Sequence, residues 1–568
     1  MWRLTAVSHS RRAALARAAT GLAVWGAAQT PRGGRAGTSA DAADLPAPAW
    51  PTAPLLGGLD SHHFQVEATE PLVRRYFAQG MLLVYGFNPE EAARAFEAAL
   101  AIDPRCASCW WALAWALGPN INADMSPRAA RRVDHALGQA RRHAQRAGTV
   151  RQALINALLL RHPRPGVLDE EGYAQGMRAL AQRLPRDANV AMLAAESMLN
   201  LHPYDWWQAG GAPQPWTPEI ERLLALAIAL DPRHPGAHHY WIHLQESSPH
   251  PKHALPSADY LAHAVPGSGH LLHMPAHIYM RVGRFEDAIH ASQRSIEADR
   301  RYLAQVDAQG AYRVGYVAHN HHFLWAAASM AGRRQLALEA ARAAWSAACG
   351  PARRDPGTAI VQQYAVLPYF TLVRFGQWRT LLHDTLPPDG NQPYALAMWH
   401  YAQGTALART GRLDAAQRAW QRLQTIAADP ALATFKLKNI NPGAALVQIA
   451  VLTLRADLAL ARGERPAAVA MLREAVEVED ALAYDEPHLW LAPARHALGA
   501  ALLAAGRAAD AEQAYRADLK HYPGNGWSLT GLSIALAQQG QASSAQRAQS
   551  DAIAAFARAE QIPASSRF

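Results

Sequence analysis

Apolar residues recur every three or four positions through most of residues 75–550, with charged and polar residues between them. That spacing lines the apolar side chains along one face of a helix. Residues 128–160, 173–200 and 219–230 read as helices, and no segment shows the period of two that marks a strand. The pattern is broken by four Gly-Arg pairs: Gly283-Arg284, Gly332-Arg333, Gly411-Arg412 and Gly506-Arg507. Glycine there supplies the left-handed residue that ends one helix before the next begins. Residues 202–218, with Tyr204, Trp206, Trp207 and Trp216, read as an aromatic loop, and 350–358 as a second connection.

The helical pattern repeats. Gly80, Ala92, Phe96 and Pro104 lie at offsets 0, 12, 16 and 24, and Gly499, Ala511, Tyr515 and Pro523 repeat those offsets. Gly404, Ala416 and Trp420 match the first three, and Ala456, Ala468 and Leu472 give a fourth, weaker copy. Small residues at offsets 0 and 12 suit two helices that cross closely, a large one at 16 fills the gap beside them, and proline stops the second helix. The pattern resembles the tetratricopeptide repeat family, and the chain as a whole resembles exported bacterial proteins of that family. The resemblance covers most of 75–550 and implies an all-α fold, a right-handed superhelical solenoid of helix-turn-helix repeats. It also implies a scaffold that binds a peptide or partner protein in its concave groove.

Composition locates the remaining segments. The net charge is +9, but six of those positive charges belong to residues 1–40, which hold six Arg and no acid. The other charges are mixed along the helices, so a phosphate-tracking patch is not expected, nor nucleic-acid binding. The Arg-rich start is followed by an apolar stretch, Ala13 to Ala28, and reads as a signal peptide over 1–28. Ser10-Arg11-Arg12-Ala13-Ala14-Leu15 resembles a twin-arginine export signal with Ala14 where phenylalanine is preferred. The expected organisation is a Pro/Gly/Ala linker at 29–58, a histidine-rich repeat region at 59–345 and further repeats at 359–560, in an exported, periplasmic protein. Later apolar runs look too short to span a bilayer.

Of 26 histidines, 14 fall in residues 234–322. In the tetratricopeptide family, positions 2, 5, 9 and 12 of each first helix line the groove. With Ala276 at position 8, His270, His273, His277 and Met280 take those positions. By the same register His239, His243 and Glu246 take positions 5, 9 and 12 of the preceding repeat, and His319 and His322 take positions 2 and 5 of the next. Each i, i+4 histidine pair shares a helix face. Imidazoles converging from neighbouring helices suit a transition metal, copper or zinc first, with Glu246 as a further ligand, an acceptor behind a ligand, or a general base. Met280 would favour copper. A helix starting at Pro275 would instead leave His270 and His273 on the preceding loop. The interleaved Tyr240, Trp241, Tyr279, Phe323 and Trp325 equally suit a peptide groove.

Two further groups are candidates. Cys106 and Cys109 open a helix at i, i+3, where a local disulfide is expected and a metal site is the sharper alternative. Trp111 and Trp115 fall at groove positions, with Trp110 packing between helices. Asp485 and Glu486 read as solvated. No P-loop, GxGxxG, GxSxG or HExxH motif occurs. The sequence therefore favours a binding scaffold over an enzyme and identifies no certain cofactor. A histidine-rich metal site across successive repeats is the alternative function.

Overall fold

Each helix buries a stripe and leaves the rest to water. In Leu413–Ala427 the buried residues are Ala416, Ala419 and Leu423, three and four positions apart. The stripes pair the helices, and tight turns join the members of each pair. Pro71–Tyr85 packs on Pro89–Ile102, Gly269–Val282 on Phe285–Leu303, Val317–Met330 on Arg334–Cys349, Pro393–Arg409 on Leu413–Ala427 and Gly526–Gln538 on Ala542–Ala555. Successive pairs stack into an all-α solenoid. In this computed structural model the described residues are 53–568 apart from 60–63, 65, 209, 307–311, 350–357, 438–439 and 491. The signal peptide expected at 1–28 and most of the linker expected at 29–58 lie outside them. The end of that linker is pinned: Gln79 accepts from the Leu56 amide and donates to the Pro54 carbonyl. Among the described residues the only strands are Lys436–Leu437 and Asn441–Pro442, an antiparallel pair.

The repeat offsets have direct counterparts in packing. A Cβ on Gly80 would fall inside the Phe96 ring, and one on Gly499 would fall inside the Tyr515 ring. Ala92, Ala416, Ala468 and Ala511 are all fully buried. In the third copy the space beside Gly404 is taken by Leu454 from a neighbouring helix, not by Trp420. The Gly-Arg turns are left-handed at glycine, with φ of 82° at Gly283 and 77° at Gly411.

One helix departs from the sequence reading. Gly443–Ala461 is long and apolar enough to cross a membrane. Its residues Leu446, Val447, Ile449 and Leu454 are fully buried against neighbouring helices, which accounts for its composition.

The solenoid closes on itself. The Trp527 indole donates to the Ser329 carbonyl over 3.2 Å, and Phe556 packs against Gly332. Glu560 accepts from the Arg334 and Gln335 amides at 2.6 and 3.1 Å. It thereby caps the start of Arg334–Cys349 from more than 220 residues away in sequence. The turn between Val317–Met330 and Arg334–Cys349 thus faces the late repeats and not open solvent.

Tyr515 is held between two glycines, since a Cβ on Gly531 would also fall inside its ring. Gly531→Ala should lower the unfolding free energy by about 1–3 kcal/mol despite alanine's better helix propensity. Urea midpoints would measure this, and the penalty should vanish in a Tyr515→Leu background. Equal midpoints for Gly531→Ala and wild type would refute the tight crossing.

Candidate metal centre

Three successive first helices converge on one point: Pro235–Glu246, Gly269–Val282 and Val317–Met330. The first begins where the His234 ring accepts from the Ala237 amide and Pro235 follows. The second begins at Gly269, capped by Ser268, and runs through Pro275 without ending. His270 and His273 are therefore helical residues. A side chain at Gly269 would collide with the carboxylate of Asp299. Asp299 in turn accepts from Tyr312 at 2.8 Å and from Asn320 at 2.6 Å. This buried carboxylate ties the second and third first helices together, and no sequence pattern announced it.

Six buried histidines form two groups whose ligand atoms lie within 4.8 Å of one another: His239, His243 and His270, and His273, His277 and His319. In the first, the Nε2 atoms of His239 and His270 face each other at 3.1 Å. In the second, those of His273 and His277 face each other at 2.7 Å. Two imidazole nitrogens at such range share a hydrogen bond only if one carries the proton; two lone pairs would repel. Ligands about 2.0–2.1 Å from a tetrahedral zinc sit about 3.3 Å apart, near the spacing of both pairs. The groups adjoin: the His270 and His273 rings are 5.9 Å apart and the His243 and His277 rings 6.0 Å.

Glu246 connects them. Its Oε1 accepts from His243 Nδ1 at 2.9 Å, and its Oε2 accepts from His277 Nδ1. Glu486 also accepts from His277 Nδ1, at 2.7 Å. Of the roles open to Glu246 from the sequence, the geometry fits an acceptor behind two ligands. Each Nδ1–H given to a carboxylate fixes the tautomer and leaves Nε2 for a metal. The His243 Nε2 atom is buried with no hydrogen-bond partner, as are His270 Nδ1 and His273 Nδ1. Burial, followed by neighbouring imidazoles, holds His239, His270 and His273 well below the usual histidine range. Burial also lowers His243, against the charge of Glu246. At His277 burial is outweighed by Glu486 and Glu246, which push it up to about 10. Burial, with the charge of Glu246, raises Glu486 to about 8.

Each group has an aromatic wall. The Phe87 ring lies 4.6 Å from His239 and 5.2 Å from His270. The Phe323 ring lies 4.3 Å from His277 and 4.6 Å from His273. A cavity of about 60 Å³ touches both groups through His243, His270, His277 and His319. It is bounded by Tyr204, Tyr316, Tyr484 and Asn122. Tyr204 donates to Asn122 at 2.5 Å, and Asn122 donates to Tyr316 at 2.9 Å.

Several expected residues sit elsewhere. His322 stacks on Trp325 and meets Tyr364 edge-on, outside both groups. Phe323, not His322, follows His319 on the site-facing side, after a π-helical turn at Tyr312–Tyr316. Met280 lines a neighbouring pocket with Phe323 and Tyr484 and joins neither group. Trp111 and Trp115 are core residues, not groove walls: they stack on each other at 5.7 Å and are 2% and 4% exposed. His270, expected as a groove contact, is the third member of the first group. Cys106 and Cys109 form a disulfide at the start of Ala107–Leu117, away from the histidines. Asp485 and Glu486, read as solvated, line the cavity beside the histidines with Tyr484. Asp485 is 5% exposed.

No protein-family model matches the chain, and no curated protein matches it. It is similar to the tetratricopeptide domain of P58(IPK), at 12% identity over 83% of this chain and 98% of that one, with a TM-score of 0.21. It is also similar to human IFIT1, solved as a dimer with PPP-AAAA, at 11% identity over 86% of this chain and 91% of that one, with a TM-score of 0.30. Scores this low mean the chains follow different overall courses. The class rests on this chain's own repeats, in which the offset-16 ring fills the offset-0 glycine twice over. The chain is an all-α solenoid of helix-turn-helix repeats. Its solenoid carries six histidines inward from three successive repeats.

Asp299 offers a test of how the helices are tied. Burial raises its pKa to about 7, against hydrogen bonds from Tyr312 and Asn320 that lower it. The folded chain keeps this proton up to about pH 7, while the unfolded chain releases it near the ordinary 3.8. The contribution is therefore fully present below pH 3.8 and lost as pH rises towards 7. Asp299→Asn should flatten the fall in urea midpoint across that window, by more than about 1 kcal/mol. Parallel profiles for variant and wild type would show that Asp299 ionises normally.

Proposed function

We propose that this repeat protein is a metalloprotein whose function resides in a pair of three-histidine transition-metal sites. The observation that carries the reading is the two pairs of facing imidazole nitrogens, with Glu246 orienting one ring of each group from behind. All six donors are imidazoles, which suit copper or zinc; copper binds more tightly in the general order of divalent metals. Three protein ligands per metal leave a position open, the arrangement of reactive rather than structural sites. His239, His243 and His270 would hold one metal, and His273, His277 and His319 the other. The disulfide supports an exported protein in an oxidising compartment. A peptide in the concave groove has less support at this point, because Tyr484, Asp485 and Glu486 already lie against the histidines.

The test is metal content. Purified without an affinity tag and loaded with copper or zinc, the protein should retain about two equivalents after desalting, as three-ligand sites of this kind do. His239→Ala/His243→Ala and His273→Ala/His277→Ala should each retain about one. His322→Ala should match wild type. No retained metal in the loaded wild type would end this reading. Glu246→Gln should weaken retention about 10–100-fold while the helical circular dichroism stays unchanged.

A further inference from the structure

We propose that the two sites, filled with copper, act as one centre that binds dioxygen between them. The inference rests on the paired-metal reading and adds the ligand. It starts from the cavity. The space of about 60 Å³ touches His243 and His270 of one group and His277 and His319 of the other. On the paired-metal reading, a molecule in it would reach histidines of both groups. The volume holds a few water molecules. It therefore suits a diatomic and excludes a peptide.

The surroundings select the chemistry. The donors at both sites are imidazoles. The carboxylates of Glu246 and Glu486 are engaged by Nδ1 of His243 and His277. Among the described residues no cysteine belongs to either group: Cys106 and Cys109 are joined to each other, and Cys349 lies at the end of Arg334–Cys349. Imidazole sets of this kind hold copper in both oxidation states, and an apolar shell tunes its potential and excludes water. Phe87 and Phe323 form that shell, one ring against each group.

The electron count closes without another reactant. Each Cu(I) gives one electron, and dioxygen takes both to reach the peroxide level as a ligand shared by two Cu(II). No bond to protein forms and no proton is consumed. Release reverses the transfer. One copper alone supplies one electron and cannot complete the step.

Wild-type protein would be loaded anaerobically with Cu(I), its copper content measured, and dioxygen admitted. The expected result is uptake of one dioxygen per copper pair. The two Cu(II) ions sharing that ligand should couple, so that most of the paramagnetic resonance signal expected for the copper present is lost. His239→Ala/His243→Ala, holding one copper, should take up no dioxygen. Two coppers that take up no dioxygen, or that oxidise to two fully visible Cu(II) signals, would overturn this inference and leave the paired-metal reading standing. Failure of the wild type to bind a second copper would overturn both.

Discussion

Both histidine groups depend on one buried carboxylate. Glu246 closes the helix Pro235–Glu246 with its side chain wholly inside the protein. Each of its oxygens takes the Nδ1–H of a different group's histidine, so one residue sets the orientation of two rings on two helices. A buried carboxylate without partners costs several kcal/mol, so the two imidazoles stabilise Glu246 as much as it positions them. Arg281 from the next repeat donates to the backbone carbonyls of Glu246 and Ser248. A cation at the carboxyl end of that helix meets the negative end of its dipole. The helix end, the carboxylate and the two rings therefore form one unit, and none of them can shift alone.

The repeat supplies what this unit needs, namely neighbouring first helices at fixed separation. The small residues at the crossings let the helices approach, and the ring at offset 16 prevents sliding. On an open solenoid the same histidines would face water. Here the last repeats pack against the turns at Gly283 and Gly332, and Tyr484, Asp485 and Glu486 lie beside the histidines. Asn441 holds that segment by two hydrogen bonds to Ala483. Glu486 then reaches His277 across 209 residues of sequence. Enclosure lowers the local dielectric, which strengthens every interaction between the carboxylates and the rings.

What the sequence disclosed was what short spacings determine. Repeat offsets, turn glycines and the i, i+4 pairs His239/His243 and His273/His277 are local, and the structure keeps them. The register also brought the right three helices together. It misjudged His322 because Phe323, four residues after His319, takes the inward place, while His322 turns onto Trp325 and Tyr364. Trp111 and Trp115 were misassigned because a groove wall and a core stack need the same large apolar residues. Phe87, Tyr204 and Glu486 were out of reach for another reason. Each arrives from a loop or from distant sequence, and only the closure of the solenoid decides which loops meet the histidines. Phe87 carried one signal, visible only in the backbone, a φ of 50° that is rare for a large side chain.

The direction in which the imidazoles point separates the two functions that the sequence left open. A groove that grips a peptide must aim donors and acceptors outward, towards the backbone of its occupant. Here the polar atoms are turned on each other. His239 faces His270, His273 faces His277, and the remaining nitrogens of His243 and His277 are directed onto carboxylates. Hydrogen bonds satisfy these pairings in only some tautomers and still leave His243 Nε2, His270 Nδ1 and His273 Nδ1 without partners, and unsatisfied buried nitrogens each cost about 1–3 kcal/mol. A folded chain keeps such groups together when something else meets their lone pairs. On the metal reading proposed above, a cation in each group would do so, and the apolar rings of Phe87 and Phe323 would leave water little access to take its place.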